Sequence, residues 1–168
     1  MNEYDVLASN LKVRYKGVFD FAGLMKMIHD WLVDRKFEYH EIRYKDKLDT
    51  PLGNELEINI YGEKKVTEYY QYFFDVTYHL WETRDVQVVV DGKQVKRSQG
   101  RIDVQINGRV VTDWQKKYND HPWMIKFLDG FLFKRDRDLK HVDPFDRQLH
   151  NLNKEIKRFL KIESEGDW

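Results

Sequence analysis

Residues 68–81 constrain the fold more than any other part of the chain. Tyr70, Tyr72, Phe74, Val76, Tyr78 and Leu80 take alternate positions, with Gln71, Asp75, Thr77 and His79 between them. A period of two belongs to a half-buried β-strand with one apolar, aromatic face and one polar face. At ~3.3 Å per residue such a strand is about 45 Å long, so it has to bend or bulge over whatever it covers.

Upstream, Leu11, Val13 and Tyr15 alternate with Lys12, Arg14 and Lys16, a first strand with a basic solvent face. Asp20 is placed to N-cap a helix striped by Phe21, Leu24, Met25, Ile28 and Leu32, widened by Met27 and Trp31 and ending near Lys36. Residues 37–45 read as extended. Phe37 and Tyr39 share one face while Ile42 and Tyr44 fall on the other, which calls for a bulge or for burial on both sides. Pro51 and Gly53 make 46–54 a loop. Leu56, Ile58 and Ile60 form a strand that turns at 62–65 into the central one.

Downstream, Val86, Val88 and Val90 lead to Asp91-Gly92, a type I′ hairpin signal, with a return strand through Val95. Residues 98–100 break that strand, Ile102, Val104 and Ile106 resume the alternation, and Asn107-Gly108 offers a second hairpin before 110–113. After Trp114 the period becomes helical. Asp120 and Pro122 open a helix with Trp123, Met124, Phe127, Leu128, Phe131 and Leu132 on one face and Gly130 inside it. Asp143-Pro144 opens the last helix, striped by Phe145, Leu149, Leu152, Ile156, Phe159 and Leu160. The expected architecture is one α+β domain over 1–162 with a flexible tail at 163–168. It has a curved antiparallel sheet of about six or seven strands, a helix after the first strand, and two C-terminal helices, the last packed on the concave face.

Several function classes are excluded by what is missing. Among 168 residues, 29 Lys plus Arg balance 29 Asp plus Glu, so no global field favours nucleic acid or an anionic membrane. The absence of cysteine removes disulfides, thiolate catalysis and Cys-ligated metals. Residues 1–10 lack a basic-then-apolar pattern and no run approaches the ~18 apolar residues of a membrane span, so a soluble, cytoplasmic protein is expected. No phosphate loop, Gly-x-Ser-x-Gly elbow or dinucleotide fingerprint occurs, and no cofactor is expected. None of His29, His40, His79, His121, His141 and His150 stands at a metal-ligand spacing, so no metal site is expected. Asp75 and His79 lie about 13 Å apart along one strand, too far for a dyad. Asp46 and Asp49 could hold a cation but read as solvated loop acids.

The order of elements, carried by 11–15, the helix at 21–36, the strands of 56–113 and the helix at 144–160, resembles the helix-grip superfamily of START and Bet v 1-like domains. That resemblance implies a sheet wrapped round a C-terminal helix and a cavity for an apolar molecule; some members are enzymes. Two departures stand out: a strand-like segment follows the first helix, and the helix at 123–134 is additional.

Tyr70, Tyr72 and Tyr78 on one inward face fit a cleft wall that is apolar in body and polar at its rim, closed by Trp31, Trp123 and Phe127. The same rings could instead simply cover helix stems. Lys93, Lys96, Arg97 and Arg101, with Lys64, Lys65 and the Lys12, Arg14, Lys16 face, form a candidate anion patch, and Tyr69 or Phe73 could stack bases. Neutral net charge weighs against a nucleic-acid partner. Phe73, Val89 and Val111 are apolar residues on polar strand faces and fit protein contacts, and the Gly166-Asp167-Trp168 end could be a docking peptide. The reading is a non-enzymatic binding module that holds an apolar small ligand or a partner segment. The alternatives are an assembly subunit binding proteins through its sheet, a helix-grip-like enzyme drawing on Tyr70, Tyr78 and His40, and a weak nucleic-acid binder.

Overall fold

The computed structural model describes residues 6–50, 53–90, 92–116, 122–127 and 138–160. The elements are β1 (Val6–Phe19), α1 (Phe21–Asp34), β2 (Glu38–Thr50), β3 (Gly53–Lys65), β4 (Tyr70–Val90), β5 (Lys93–Thr112), α2 (Pro122–Phe127) and α3 (Asp143–Phe159). A π-helical turn, Asp138–Val142, runs directly into α3. The strands form one antiparallel sheet in the order β1-β5-β4-β3-β2.

The described sheet has five strands, not six or seven, because two of them are very long. β4 spans 21 residues and β5 spans 20. Asn107-Gly108 does not turn: both residues sit inside β5, opposite Asp75 and Phe74. A Cβ on Gly108 would collide with Leu149, so this glycine serves the approach of α3 rather than a hairpin. Gly100 likewise stays within β5, where a Cβ would stand 2.8 Å from Thr83 Cγ2. It faces a bulge in β4 between Trp81 and Arg84, at which Glu82 takes φ 56°.

Two further connections differ from expectation. β2 continues through Thr50 and β3 begins at Gly53, so most of 46–54 is paired strand; Pro51 lies outside the described residues. β3 also runs through 62–65, and the turn into β4 comes later, where Thr67 Oγ1 accepts from the amides of Tyr69 (3.1 Å) and Tyr70 (2.9 Å). The Asp91-Gly92 hairpin is flanked by the pair Val90 and Lys93, and Gly92 has φ 75°; Asp91 is outside the described residues. A register shift between Glu41 and Arg43 brackets Ile42, where the change of apolar face called for a bulge. Of the helix expected from Trp123 onward, 122–127 is described; Gly130 and the tail at 163–168 lie outside.

Both long helices pack on one face of the sheet. Asp20 caps α1 by accepting the Gly23 amide at 3.0 Å. Leu24, Ile28 and Leu32 of α1 and Phe145, Leu149, Leu152 and Ile156 of α3 are fully buried with Phe74, Val76, Tyr78, Ile102, Val104 and Ile106 of the sheet. Each such side chain contributes roughly 1.5–3 kcal/mol relative to exposure. No helix among the described residues is long and apolar enough to cross a membrane.

Candidate functional site

Four of the six residues expected to line a cleft reach the inner face. There they meet protein. Tyr72 stacks on Phe145 (4.5 Å, 10°), its hydroxyl 3.4 Å from His141 Nδ1. Tyr70 packs on the His141 ring at 4.2 Å. Trp31 stacks on Phe74 and Phe37, with the Arg35 guanidinium 4.1 Å over its ring. Tyr78 is wholly buried against the edge of Phe21 (5.8 Å). Burial pushes its phenol far above the ordinary range, with Tyr39 adding to the effect. Trp123 and Phe127 are 67% and 52% exposed and do not close this wall. Tyr78 Oη and Trp31 Nε1 are buried with no hydrogen-bond partner among the described residues.

The expected anion patch is dispersed. Arg97 pairs with Asp20 at 3.1 Å and Lys96 with Asp85 at 2.8 Å, while Lys93 sits at the β4–β5 turn. Of the four, Arg101 joins Arg14, Lys16, Trp81 and Asp103 in a groove of about 550 Å³. Its charge is largely balanced there: Lys12 and Arg14 both reach Asp103 (2.7 and 3.3 Å), and Arg101 reaches Glu82 at 2.9 Å.

The outer face of the sheet carries an order that strand-by-strand reading did not reveal. His40 of β2 stacks on Tyr61 of β3 (4.8 Å, 20°), and Tyr61 stacks on Phe73 of β4 (6.4 Å, 11°). Arg109 of β5 lies 5.0 Å over Phe73, so the row crosses four strands. Arg109 Nε is buried without a partner among the described residues. Beside it, burial raises the Asp75 pKa, and Arg109 pulls the other way without cancelling the effect. Further along, His79 Nε2 is 3.0 Å from Glu55 Oε1 and its ring lies 3.7 Å from Trp81. The suggested catalytic set of Tyr70, Tyr78 and His40 is not assembled, since His40 stands on the outer face and Tyr78 on the inner one.

Two features were missed from sequence. Glu38 and His40 alternate on β2, and Glu63 is the register partner of Glu38 on β3; one donor atom from each lies within 4.8 Å of the others. The Glu-x-His spacing was visible, but only the β2–β3 register supplies the third residue. The second is an arm. β3 pairing with β4 ends at Asn54 and Thr83, and β1 pairing with β5 ends at Phe19 and Ser98, yet β4 and β5 continue together to Val90 and Lys93. Beyond those ends the hairpin has two open edges among the described residues. Alternation of valines was the sequence signal for its strands, but not for their lack of neighbours.

No protein-family model, curated protein or solved structure matches the chain.

Proposed function

We propose that the protein is a non-enzymatic binding module that engages a protein partner through the β4–β5 arm. The observation that carries this is a pair of exposed valines, one on each face of an arm whose edges are open among the described residues. Val89 is 69% and Val90 42% exposed, and Val88 stands directly across from Val95. A two-stranded hairpin is marginal in water on its own, and open strand edges accept further strands. An added partner strand would satisfy the edge amides and carbonyls while covering the valines, the mode of β-augmentation. Lys93 and Lys96 on the outgoing strand discourage indiscriminate pairing and leave room for a specific one. A photo-crosslinking residue at Val89 tests this in the producing cells. A discrete adduct of reproducible mass, absent when the probe replaces Asn107 on the sheet's outer face, is expected. No adduct, or equal adducts from both positions, overturns it.

A second reading keeps the apolar small ligand on the inner face, in the manner of the helix-grip plan. It is favoured by the Tyr78 hydroxyl and Trp31 indole N–H, which have no partner among the described residues, since a buried polar group without a partner costs roughly 1–3 kcal/mol. Native mass spectrometry decides it: mass released on denaturation supports a bound molecule, and a bare chain counts against one.

A further inference from the structure

The geometry points to a binding site for a divalent transition metal at Glu38, His40 and Glu63, on the outer face of the sheet at its β2 edge. Glu38 and His40 project to the same side of β2, and Glu63 lies directly across from Glu38 in β3. An oxygen of each carboxylate and a nitrogen of the imidazole all lie within 4.8 Å of one another. Ligands held about 2.0–2.2 Å from one tetrahedral ion are separated by roughly 3.3–3.6 Å. Glu38 and His40 are exposed and Glu63 is half-buried, so small side-chain rotations close the difference.

Proximity is supported by charge and by order. Like charges directly opposite in an antiparallel pair destabilise it, and neither carboxylate has a cationic partner among the described residues. Of the cations flanking them in sequence, Arg35 lies over Trp31, Lys64 over Phe37 and Lys65 over Trp114. A bound dication converts this repulsion into a bridge. Meanwhile the His40 ring is held by Tyr61, itself stacked on Phe73, so the nitrogen donor is oriented before an ion arrives.

The donor set selects the ion class. One imidazole with two carboxylates suits zinc, cobalt, nickel or manganese rather than calcium or magnesium, which prefer all-oxygen cages. Three protein ligands leave at least one position to water. Because β2 is the edge strand, the ion also clips that edge to β3, and metal binding becomes stability of the β2–β3 pair.

The test uses the full chain without a histidine tag. Titration with cobalt, followed by visible absorption, and with zinc, followed by calorimetry, is expected to show one ion per chain. Zinc should also raise the thermal midpoint. His40→Ala and Glu63→Gln should each weaken binding by at least about tenfold, while His150→Ala, which alters the exposed Asp146–His150 pair on α3, leaves it unchanged. Circular dichroism confirms that the variants are folded. Absence of saturable binding overturns the site, as does undiminished affinity in the His40→Ala/Glu63→Gln double variant or loss on His150→Ala.

Discussion

The Cδ1 methyl of Leu149 rests on the backbone of Gly108, leaving no room for a Cβ, and Phe145 Cε1 stands 3.1 Å from where that Cβ would be. This contact sets how closely α3 approaches β5. Gly108→Ala should therefore act as overpacking, costing ~1–3 kcal/mol, and Leu149→Ala as a cavity, costing ~2–5 kcal/mol. Combined, the two should cost less than their sum, because the removed isobutyl group frees the space the new methyl needs. Urea unfolding midpoints at constant slope measure all three. Strict additivity would show that the two residues do not share that space.

α3 is amphipathic in a way that predicts a sharp contrast between neighbours. Leu152 is fully buried and Asn151 is exposed. Leu152→Ala should cost ~2–5 kcal/mol, whereas Asn151→Ala should stay within about 0.5 kcal/mol of the parent. A loss below about 0.5 kcal/mol at Leu152 would mean that α3 is not held by the sheet.

Where two faces meet different surroundings, the pattern was legible: Tyr72, Phe74, Val76, Tyr78 and Leu80 point inward as their alternation requires. The same logic called for a bulge or for burial on both sides within 37–45, and the register shift between Glu41 and Arg43 falls in that stretch. Strand number was not legible. Asn107-Gly108 has the chemistry of a type I′ turn, yet the glycine answers to a helix far along the chain. Local residues cannot signal a need created by Leu149. The same holds for the candidate metal site, where Glu38 and His40 stand two residues apart in sequence and Glu63 arrives through strand register. It holds for the arm as well, since Val86, Val88 and Val90 read as an ordinary half-buried strand whether or not a neighbour covers them.

The arm should open independently of the sheet. Val76, Val104 and Ile106 are fully buried in the core, whereas Val89 and Val90 are exposed and their stretch of β4 pairs, among the described residues, with β5 alone. Hydrogen exchange in increasing sub-denaturing urea separates the two cases. Amides of the core strands should exchange only through an opening that depends steeply on denaturant, and arm amides through a local one that barely responds. Equal protection and equal urea dependence would place the arm in the same cooperative unit as the core.

His141 ties stability to mild acid. Its ring packs on Tyr70 at 4.2 Å and its Nδ1 lies 3.4 Å from the Tyr72 hydroxyl, and burial, with the charge of Lys140, lowers its pKa. Unfolded, the same ring protonates near about 6.5. Between the lowered folded value and the unfolded one, the unfolded chain binds more protons, so stability is complete above that window and falls as the pH descends through it. His141→Gln removes this group from the balance. The difference between parent and variant is the informative quantity, because contributions common to both cancel. The parent's advantage in urea midpoint should shrink as the pH falls from about 7 through the unfolded value and then level off below the folded one. If the two midpoints instead fall in parallel across that range, His141 has the same proton affinity folded and unfolded, and its contact with Tyr70 and Tyr72 carries no pH-dependent stability.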